Sequence, residues 1–212
     1  MLKIWGRTDS SNVQALMWCV GELGLPFERT DAGHRFGVND TPEFLAMNPN
    51  GTVPVLQDGP NPPLWETGAI LRYLANRYAS APFWPEELLA RTEVDRWAEW
   101  SKINVALGFT VPVFWHVVRT PAAERNPAQI ARAVTALERV LRIAEDRLAR
   151  HDHLVSDDFT LADIQFGHVL YRYYDIDIAR GPLPALRAYY DRLTARPAYR
   201  THVMLSYDAL RA

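Results

Sequence analysis

The first 30 residues fit a β-α-β unit, and this pattern limits the folds open to the chain. Residues 2–6 alternate like a short strand, Val13 to Leu23 carry apolar side chains at helical spacing, and Phe27–Thr30 has the pattern of a second strand. Gly24, directly after the helical stretch, is a residue that commonly ends a helix. Two strands joined through a helix run parallel with a right-handed crossover. The chain is therefore expected to begin with an α/β layer.

The next 50 residues extend this unit into a small domain. Thr41-Pro42 is typical of a helix start, since proline is tolerated in the first turn. Residues 53–56 and 63–66 each have the pattern of a short strand, and the Asp58-Gly59 step between them favours an antiparallel hairpin. Residues 67–78 return to helical spacing. The order β-α-β-α-β-β-α predicts a three-layer α/β domain over residues 1–78.

The pattern changes after residue 78. Residues 79–85 contain two prolines in four positions and have the composition of a linker. No further stretch has a strand pattern. Helical spacing predicts a long helix over 86–118, bent near Pro112, and further helices over 127–150, 160–174, 184–195 and 197–204. We therefore expect an all-helical domain over residues 86–212.

Composition excludes several classes of protein. The formal net charge of −2 argues against a nucleic-acid or acidic-membrane partner. Cys19 is the only cysteine, so an intrachain disulfide is impossible, and the six histidines show no metal-ligand spacing, so no metal site is expected. No stretch approaches the roughly 18 apolar residues of a membrane span, and the N-terminus lacks a secretion-signal pattern. We expect a cytoplasmic protein without a membrane partner.

Val53-Pro54 lies where the third strand begins. Proline cannot donate to a strand ladder, so it belongs at an edge, a bulge or a cis bend. A cis bond here would leave the amide and carbonyl of Val53 free to pair with an extended peptide ligand. An ordinary trans proline at a sheet edge is the alternative, and the residues alone leave both open.

Glu66-Thr67 lies at the junction between the hairpin and the following helix. Thr67 is a candidate N-cap, and the free amides after it favour an anion such as a ligand carboxylate. Glu66 supplies the counter-charge for an ammonium group. This pair therefore suits the end of a ligand that carries a free α-amino acid. The alternative is that Glu-Thr only caps the helix.

Ser10-Ser11-Asn12 lies at the start of the first helix. Free amides and the helix dipole stabilise negative charge there, and a hydroxyl can donate to a thiolate. A free thiol titrates near ~8.5, so holding it ionised at neutral pH needs a pKa shift of one to two units, about 1.4 kcal/mol per unit. One or two charge-assisted hydrogen bonds are enough. The alternative is that both serines only cap the helix.

Together these motifs resemble the glutathione transferase family, in particular its bacterial serine-type members, from Leu2 to at least Tyr199. The resemblance implies a thioredoxin-like domain that binds glutathione as a co-substrate, with no permanently bound cofactor. It implies a cis Val-Pro bond whose valine pairs with the cysteinyl unit, an acidic residue and a hydroxyl on the γ-glutamyl end, and a cation near the glycyl carboxylate. The positions that match these roles are Val53, Pro54, Glu66, Thr67 and Arg35, with His34 as the alternative to Arg35 for the cation.

The same resemblance leaves the sulfur ligand open among three residues. Ser10 matches the family's catalytic serine and is placed first, Asn12 second and Ser11 third. In some bacterial relatives a threonine and an asparagine share this work, and those proteins act on disulfides of glutathione. The expected activity is attack of the thiolate on small hydrophobic electrophiles. The alternatives are a glutathione-dependent disulfide or peroxide reductase and a non-catalytic scaffold of the same fold.

The second substrate is expected along the first long helix, which borders the electrophile pocket in this family. The candidates are large side chains of that helix, with the apolar core as the alternative for each: Trp100, Phe109, Phe114 and His116. The resemblance also implies a homodimer. Thr160 and Asp163 have the spacing of a capping box and resemble the family's buried N-capping box, whose role is in folding.

Overall fold

The computed structural model describes all residues from 1 to 212. Its four strands form one mixed sheet in the order β2-β1-β3-β4. Strands β1 and β2 are parallel and β3 and β4 are antiparallel, as predicted from the crossover and the hairpin. Strand β3 also pairs antiparallel with β1, which the sequence did not predict. The strands are β1 (Leu2–Trp5), β2 (Phe27–Thr30), β3 (Val55–Asp58) and β4 (Leu64–Trp65).

Three helices complete the first domain: α1 (Ser11–Glu22), α2 (Pro42–Met47) and α3 (Thr67–Tyr78). The Thr41 side chain caps α2 by accepting the Phe44 amide at 3.2 Å. The sequence predicted one apolar face for α1, but every residue from Val13 to Val20 is buried. Helix α1 is buried because it packs against α3 on one side and against helices of the second domain on the other.

The second domain contains only helices, as the sequence predicted. They are α4 (Leu88–Arg119), α5 (Pro127–Leu148), α6 (Leu161–Gly167), α7 (Leu170–Asp175), α8 (Pro184–Ala195) and α9 (Pro197–His202). The helix predicted over 160–174 is divided into α6 and α7. The long helix predicted over 86–118 is continuous. Two parts of it, Ser101–Ala106 and Thr110–Arg119, are wound as π-helix, where the sequence predicted only a bend near Pro112.

Helix α4 is also long and apolar enough, by length and composition alone, to cross a membrane, which differs from the sequence expectation. Several of its apolar side chains are buried in the protein core. Val105, Phe109, Phe114 and Val118 are each about 1% exposed in the core. Burial in the core accounts for these four side chains, whereas other apolar residues of α4, such as Leu88 and Ile103, are exposed.

The two domains share one apolar core. A continuous cluster of 47 buried residues runs from β1 and α1 into the helices of the second domain. At its centre, Trp18 of α1 packs edge-on against Tyr199 with ring centroids 4.7 Å apart. A two-point ion pair between Glu22 and Arg196 lies beside it at 2.7 and 2.8 Å. The contact region between the two domains is therefore part of the protein interior and not a hinge.

The capping box at the start of α6 is present. The Asp163 carboxylate accepts the Thr160 amide at 2.7 Å, and it also accepts the Leu154 amide at 3.0 Å and the Tyr189 hydroxyl at 2.9 Å. Asp163 is fully buried. It therefore joins the start of α6 to the preceding loop and to α8, which is more than a helix cap does.

Candidate active site

A cleft of about 320 Å³ opens between the two domains, at the N-terminal end of α1. The first domain contributes the α1 start, residues 51–53 ahead of β3, and the loop around His34. The second domain contributes the second half of α4 and one side chain from α7. All three candidate sulfur ligands, Ser10, Ser11 and Asn12, line this cleft.

Ser10 is the N-cap residue of α1, yet its side chain does no capping. Its backbone is extended, and its carbonyl accepts the Gln14 amide at 2.8 Å as the first bond of the helix. Its hydroxyl makes no hydrogen bond to the helix. Ser10 therefore caps α1 through its backbone only, which leaves its hydroxyl without a helix partner beside the free amides of the first turn.

Asn12 is oriented by a lysine from the other domain. The Lys102 ammonium donates to Asn12 Oδ1 at 2.9 Å. Burial lowers the pKa of Lys102, against the opposing charges of Glu66 and Glu99. With its oxygen engaged, the Asn12 side chain offers its NH₂ group to the cleft. A hydrogen-bond donor there suits an anionic ligand atom.

The Val53–Pro54 bond is cis, which removes the trans alternative left open by the sequence. Pro54 is buried and Val53 lines the cleft. Neither the amide nor the carbonyl of Val53 makes a backbone hydrogen bond. The Asn39 side chain donates to the Gly51 carbonyl at 2.7 Å and holds the approach to this position. An extended peptide can therefore pair with the Val53 backbone.

Glu66 and Thr67 lie outside the lining of the main cleft. Glu66, rather than Thr67 as predicted, is the N-cap residue of α3, and Thr67 is the first helical residue, 3% exposed. Glu66 has a positive φ of 67°, which is uncommon for a residue other than glycine and is found at ligand-binding positions. The charge of Glu66 acts on Lys102, so the α3 start faces the same lysine that orients Asn12.

Arg35 is held at the edge of the cleft by Asp9. Arg35 donates to one Asp9 oxygen at 3.0 Å, and Arg7 donates to the other at 2.5 Å. Burial alone would raise the pKa of Asp9, but the hydrogen bonds and charges of the two guanidinium groups lower it. The neighbouring His34, rather than Arg35, lines the cleft itself.

Arg172 of α7 is a cleft residue that sequence reasoning missed. Its Nη2 donates to the Asp9 carbonyl at 2.7 Å and to Gln14 Oε1 at 3.2 Å, and its guanidinium lies 4.8 Å from the Phe114 ring centroid. It is 3% exposed and has no carboxylate partner. Burial lowers its pKa to about 10, so it remains cationic at neutral pH. A buried cation thus adjoins the residue before Ser10.

Only Phe114, of the four residues expected at the electrophile side, lines the cleft. Trp100 packs on Trp97 with centroids 5.1 Å apart, and Phe109 packs on Tyr173 at 6.1 Å. His116 lies 3.2 Å from the Gln129 side chain of α5. The residues of α4 that line the cleft are Thr110, Phe114, Trp115 and Arg119.

The π-helical winding explains this set of residues. An α-helix turns ~100° per residue, so Thr110 and Arg119, nine positions apart, would face opposite directions. A helix bonded from residue i to i+5 has about 4.4 residues per turn, so nine positions make roughly two full turns. Both residues therefore face the cleft, while His116 turns towards α5.

In this protein a strand edge with a cis-proline and the N-terminus of a helix face one cleft, and an all-helical domain closes that cleft. This arrangement defines a two-domain thioredoxin-like protein. The model of the "Glutathione S-transferase, N-terminal domain" matches residues 1–76, and that of the "Glutathione S-transferase, C-terminal domain" matches residues 106–197. Glutathione S-transferase GstB of Escherichia coli is 34% identical over 206 residues, covering 97% of this chain and 99% of its own.

Other relatives agree with this match. Glutathione S-transferase 3 of Zea mays is 33% identical over 95% of this chain and 93% of its own. The theta class glutathione S-transferase of Xanthomonas axonopodis pv. citri, crystallised with glutathione bound, superposes with a TM-score of 0.91 at 44% identity, covering 97% of this chain and 98% of that one. The chain belongs to the glutathione S-transferase family.

Proposed function

We propose that the protein is a glutathione transferase that holds the glutathione thiol ionised at the N-terminus of α1 for attack on small hydrophobic electrophiles. The observation that carries this proposal is the free Ser10 hydroxyl, which shares a cleft with the unpaired backbone of Val53. The related Xanthomonas enzyme, 44% identical, was crystallised with glutathione.

Each end of glutathione has matching chemistry in this chain. The Val53 backbone pairs with the cysteinyl unit beside cis Pro54. Glu66 binds the γ-glutamyl ammonium, and the first-turn amides of α3 with Thr67 bind its carboxylate. Arg35, at the cleft edge, meets the glycyl carboxylate. Glutathione is a co-substrate in this scheme, and no permanently bound cofactor takes part.

The reaction then needs only a positioned thiolate. Ser10 donates a hydrogen bond to the sulfur, and the Asn12 NH₂ group and the α1 amides add to the stabilisation. The thiol proton leaves to solvent. The thiolate attacks the electrophilic carbon, a carbon–sulfur bond forms, and the leaving group departs with its bonding electrons.

The serine assignment is tested by comparing Ser10→Ala and Asn12→Ala on a chlorinated nitroaromatic and on a mixed disulfide of glutathione. We expect Ser10→Ala to lower kcat/KM for the chlorinated substrate by about 10–100-fold, because a shift of one to two pKa units removes that fraction of thiolate. Ser80→Ala, on the exposed linker, is the control and leaves the rate unchanged. A Ser10→Ala variant with intact rates on both substrates would refute the role given to Ser10.

Glutathione binding is tested separately by retention on immobilised glutathione with elution by free glutathione. A scaffold protein that keeps only the fold would pass through the resin. A larger loss in Asn12→Ala than in Ser10→Ala on the mixed disulfide would favour the disulfide reductase.

We further propose that the protein works as a homodimer in the cytoplasm. Exposed apolar side chains on the outer surface of β4 and α4 support a partner there: Trp65, Leu88, Leu89, Ile103 and Leu107. Light scattering on the purified chain tests the dimer, and a monomeric mass at micromolar concentration would contradict it.

A further inference from the structure

The cleft has more positive than negative charge. Three of its lining residues are arginines, Arg7, Arg119 and Arg172, and Asp9 is the only acidic one. In the scheme above, Arg35 and the start of α3 bind the two carboxylates of glutathione, so the lining arginines are additional charges, and each desolvated charge carries a cost.

Two of these three cations have polar contacts within the chain. Arg7 is paired with Asp9 at 2.5 Å. Arg172 adjoins the loop that carries Ser10, through its bond to the Asp9 carbonyl, and so lies near the developing thiolate. Arg119 has no ion pair and no hydrogen bond within the chain. Its guanidinium is held 4.7 Å from the Trp115 ring centroid, which fixes it on the cleft side of α4.

The position of Arg119 depends on the π-helical segment. Regular α-helical winding would point it away from Thr110, whereas the observed winding brings both to the cleft. Phe114, Trp115 and Leu210 surround the same side with apolar surface. One free cation beside a small apolar wall suits a ligand with an apolar body and a single anionic group.

We propose that the preferred electrophiles carry a carboxylate or similar anion, which Arg119 binds while the apolar body lies against Phe114 and Trp115. This inference rests on the proposed function, because it places the anionic electrophile in the same cleft as bound glutathione. The attack itself is unchanged: the carbon–sulfur bond forms, and the leaving group departs with its electrons. Arg119 acts on binding of the second substrate, and Ser10 acts on the sulfur.

The test uses two synthetic glutathione conjugates that differ in one group, S-(4-carboxy-2-nitrophenyl)glutathione and its 4-carbamoyl analogue. Calorimetry measures the Kd of each for the wild-type chain and for Arg119→Gln. We expect Arg119→Gln to weaken the carboxylate conjugate about tenfold, the size of one charge-assisted contact, and the carbamoyl conjugate less than about twofold. Added salt should weaken the carboxylate conjugate more than the carbamoyl conjugate in the wild type, because both share the charges of glutathione and only one carries the extra anion.

Arg142→Gln is the matched control, since Arg142 is exposed on α5 with no ion pair, and it should change neither Kd. Equal weakening of both conjugates by Arg119→Gln, or no weakening of either, would overturn the inference while leaving the proposed function intact. Failure of the wild-type chain to bind either conjugate or glutathione itself would instead overturn the proposed function.

Discussion

At the scale of single residues, Arg172 is unusual because it is a buried cation without a carboxylate. Removing a charge from water is costly unless it is paired, and here Nη2 finds only a carbonyl and an amide oxygen while Nε finds no partner. Such a group is stabilised when an anion enters beside it. The cleft next to Ser10 is where the proposed thiolate would lie.

We therefore predict that Arg172→Met raises the pKa of the bound glutathione thiol by about one unit, because a nearby cation favours the ionised form. The ultraviolet absorbance of the thiolate, titrated in the glutathione complex, measures this pKa. The rate at neutral pH should fall about tenfold and recover at higher pH. The arginine itself, with a pKa of about 10, stays charged across this range.

Arg172→Lys separates charge from packing in the same titration, since it keeps the cation and loses the planar group over Phe114. It should leave the thiol pKa within a few tenths of a unit. If Arg172→Met binds glutathione with an unchanged thiol pKa, the arginine is a packing residue only.

The residues that sequence reasoning proposed for the site share one property, which is that their chemistry is local. Ser10, Val53-Pro54 and Glu66 each lie at an element boundary that the pattern of neighbouring residues predicts. Arg172 and Lys102 were missed because they meet their partners Asp9 and Asn12 across 163 and 90 positions of the chain. Nothing in the local pattern distinguishes them from other basic residues on helices.

At the scale of elements, periodicity predicted where the helices lie but not how tightly they are wound. The same apolar spacing is compatible with an α-helix of about 3.6 residues per turn and with a π-helix of about 4.4. The two differ in the direction of their side chains only after several turns. In α4 the difference accumulates enough to bring Arg119 to the same side as Thr110. The location of the pocket along α4 was therefore predictable from the resemblance, whereas its lining was not.

The capping box of α6 stabilises the folded chain through the buried carboxylate of Asp163. A cap alone contributes about 1–2 kcal/mol. In the folded chain, Asp163→Ala leaves the Leu154 amide, the Thr160 amide and the Tyr189 hydroxyl without their acceptor in the interior. We expect a loss of about 3–5 kcal/mol in the free energy of unfolding, because each unsatisfied buried donor costs about 1–3 kcal/mol.

Urea unfolding followed by circular dichroism measures this loss. Asp158→Ala, on the same loop but exposed, is the control and should cost less than about 0.5 kcal/mol. A loss below about 2 kcal/mol for Asp163→Ala would mean that the site contributes a helix cap and nothing more.

At the scale of the whole molecule, the two domains fold around one interior. The composition changes after residue 78, and in the structure α3 ends at Tyr78 while α4 begins at Leu88. Local patterns could not show that α1 is buried between both regions, because the spacing of its apolar residues indicated only one buried face. Helix α1 therefore depends on the helical domain for its packing.

Gly167 of α6 tests this dependence, since it lies where the second domain meets α1. A Cβ atom there would come within 2.5 Å of Leu193 and 2.9 Å of the Trp18 ring, whereas a Cβ at Gly108 of α4 meets nothing closer than 3.9 Å. Gly108→Ala should stabilise by up to about 1 kcal/mol through helix propensity alone. Gly167→Ala should destabilise by about 1–3 kcal/mol, because Leu193 and Trp18 must move.

One shared core also requires that Gly167→Ala shift a single transition. Tryptophan fluorescence, helical circular dichroism and glutathione binding should therefore be lost together on heating, at a lower temperature than in the wild type. The Trp18 contact passes any displacement to α1, so glutathione affinity should weaken in Gly167→Ala and not in Gly108→Ala. Separate transitions for glutathione binding and for helix content would show two independent domains. A Gly167→Ala variant as stable as Gly108→Ala would show that the packing of α1 does not depend on α6.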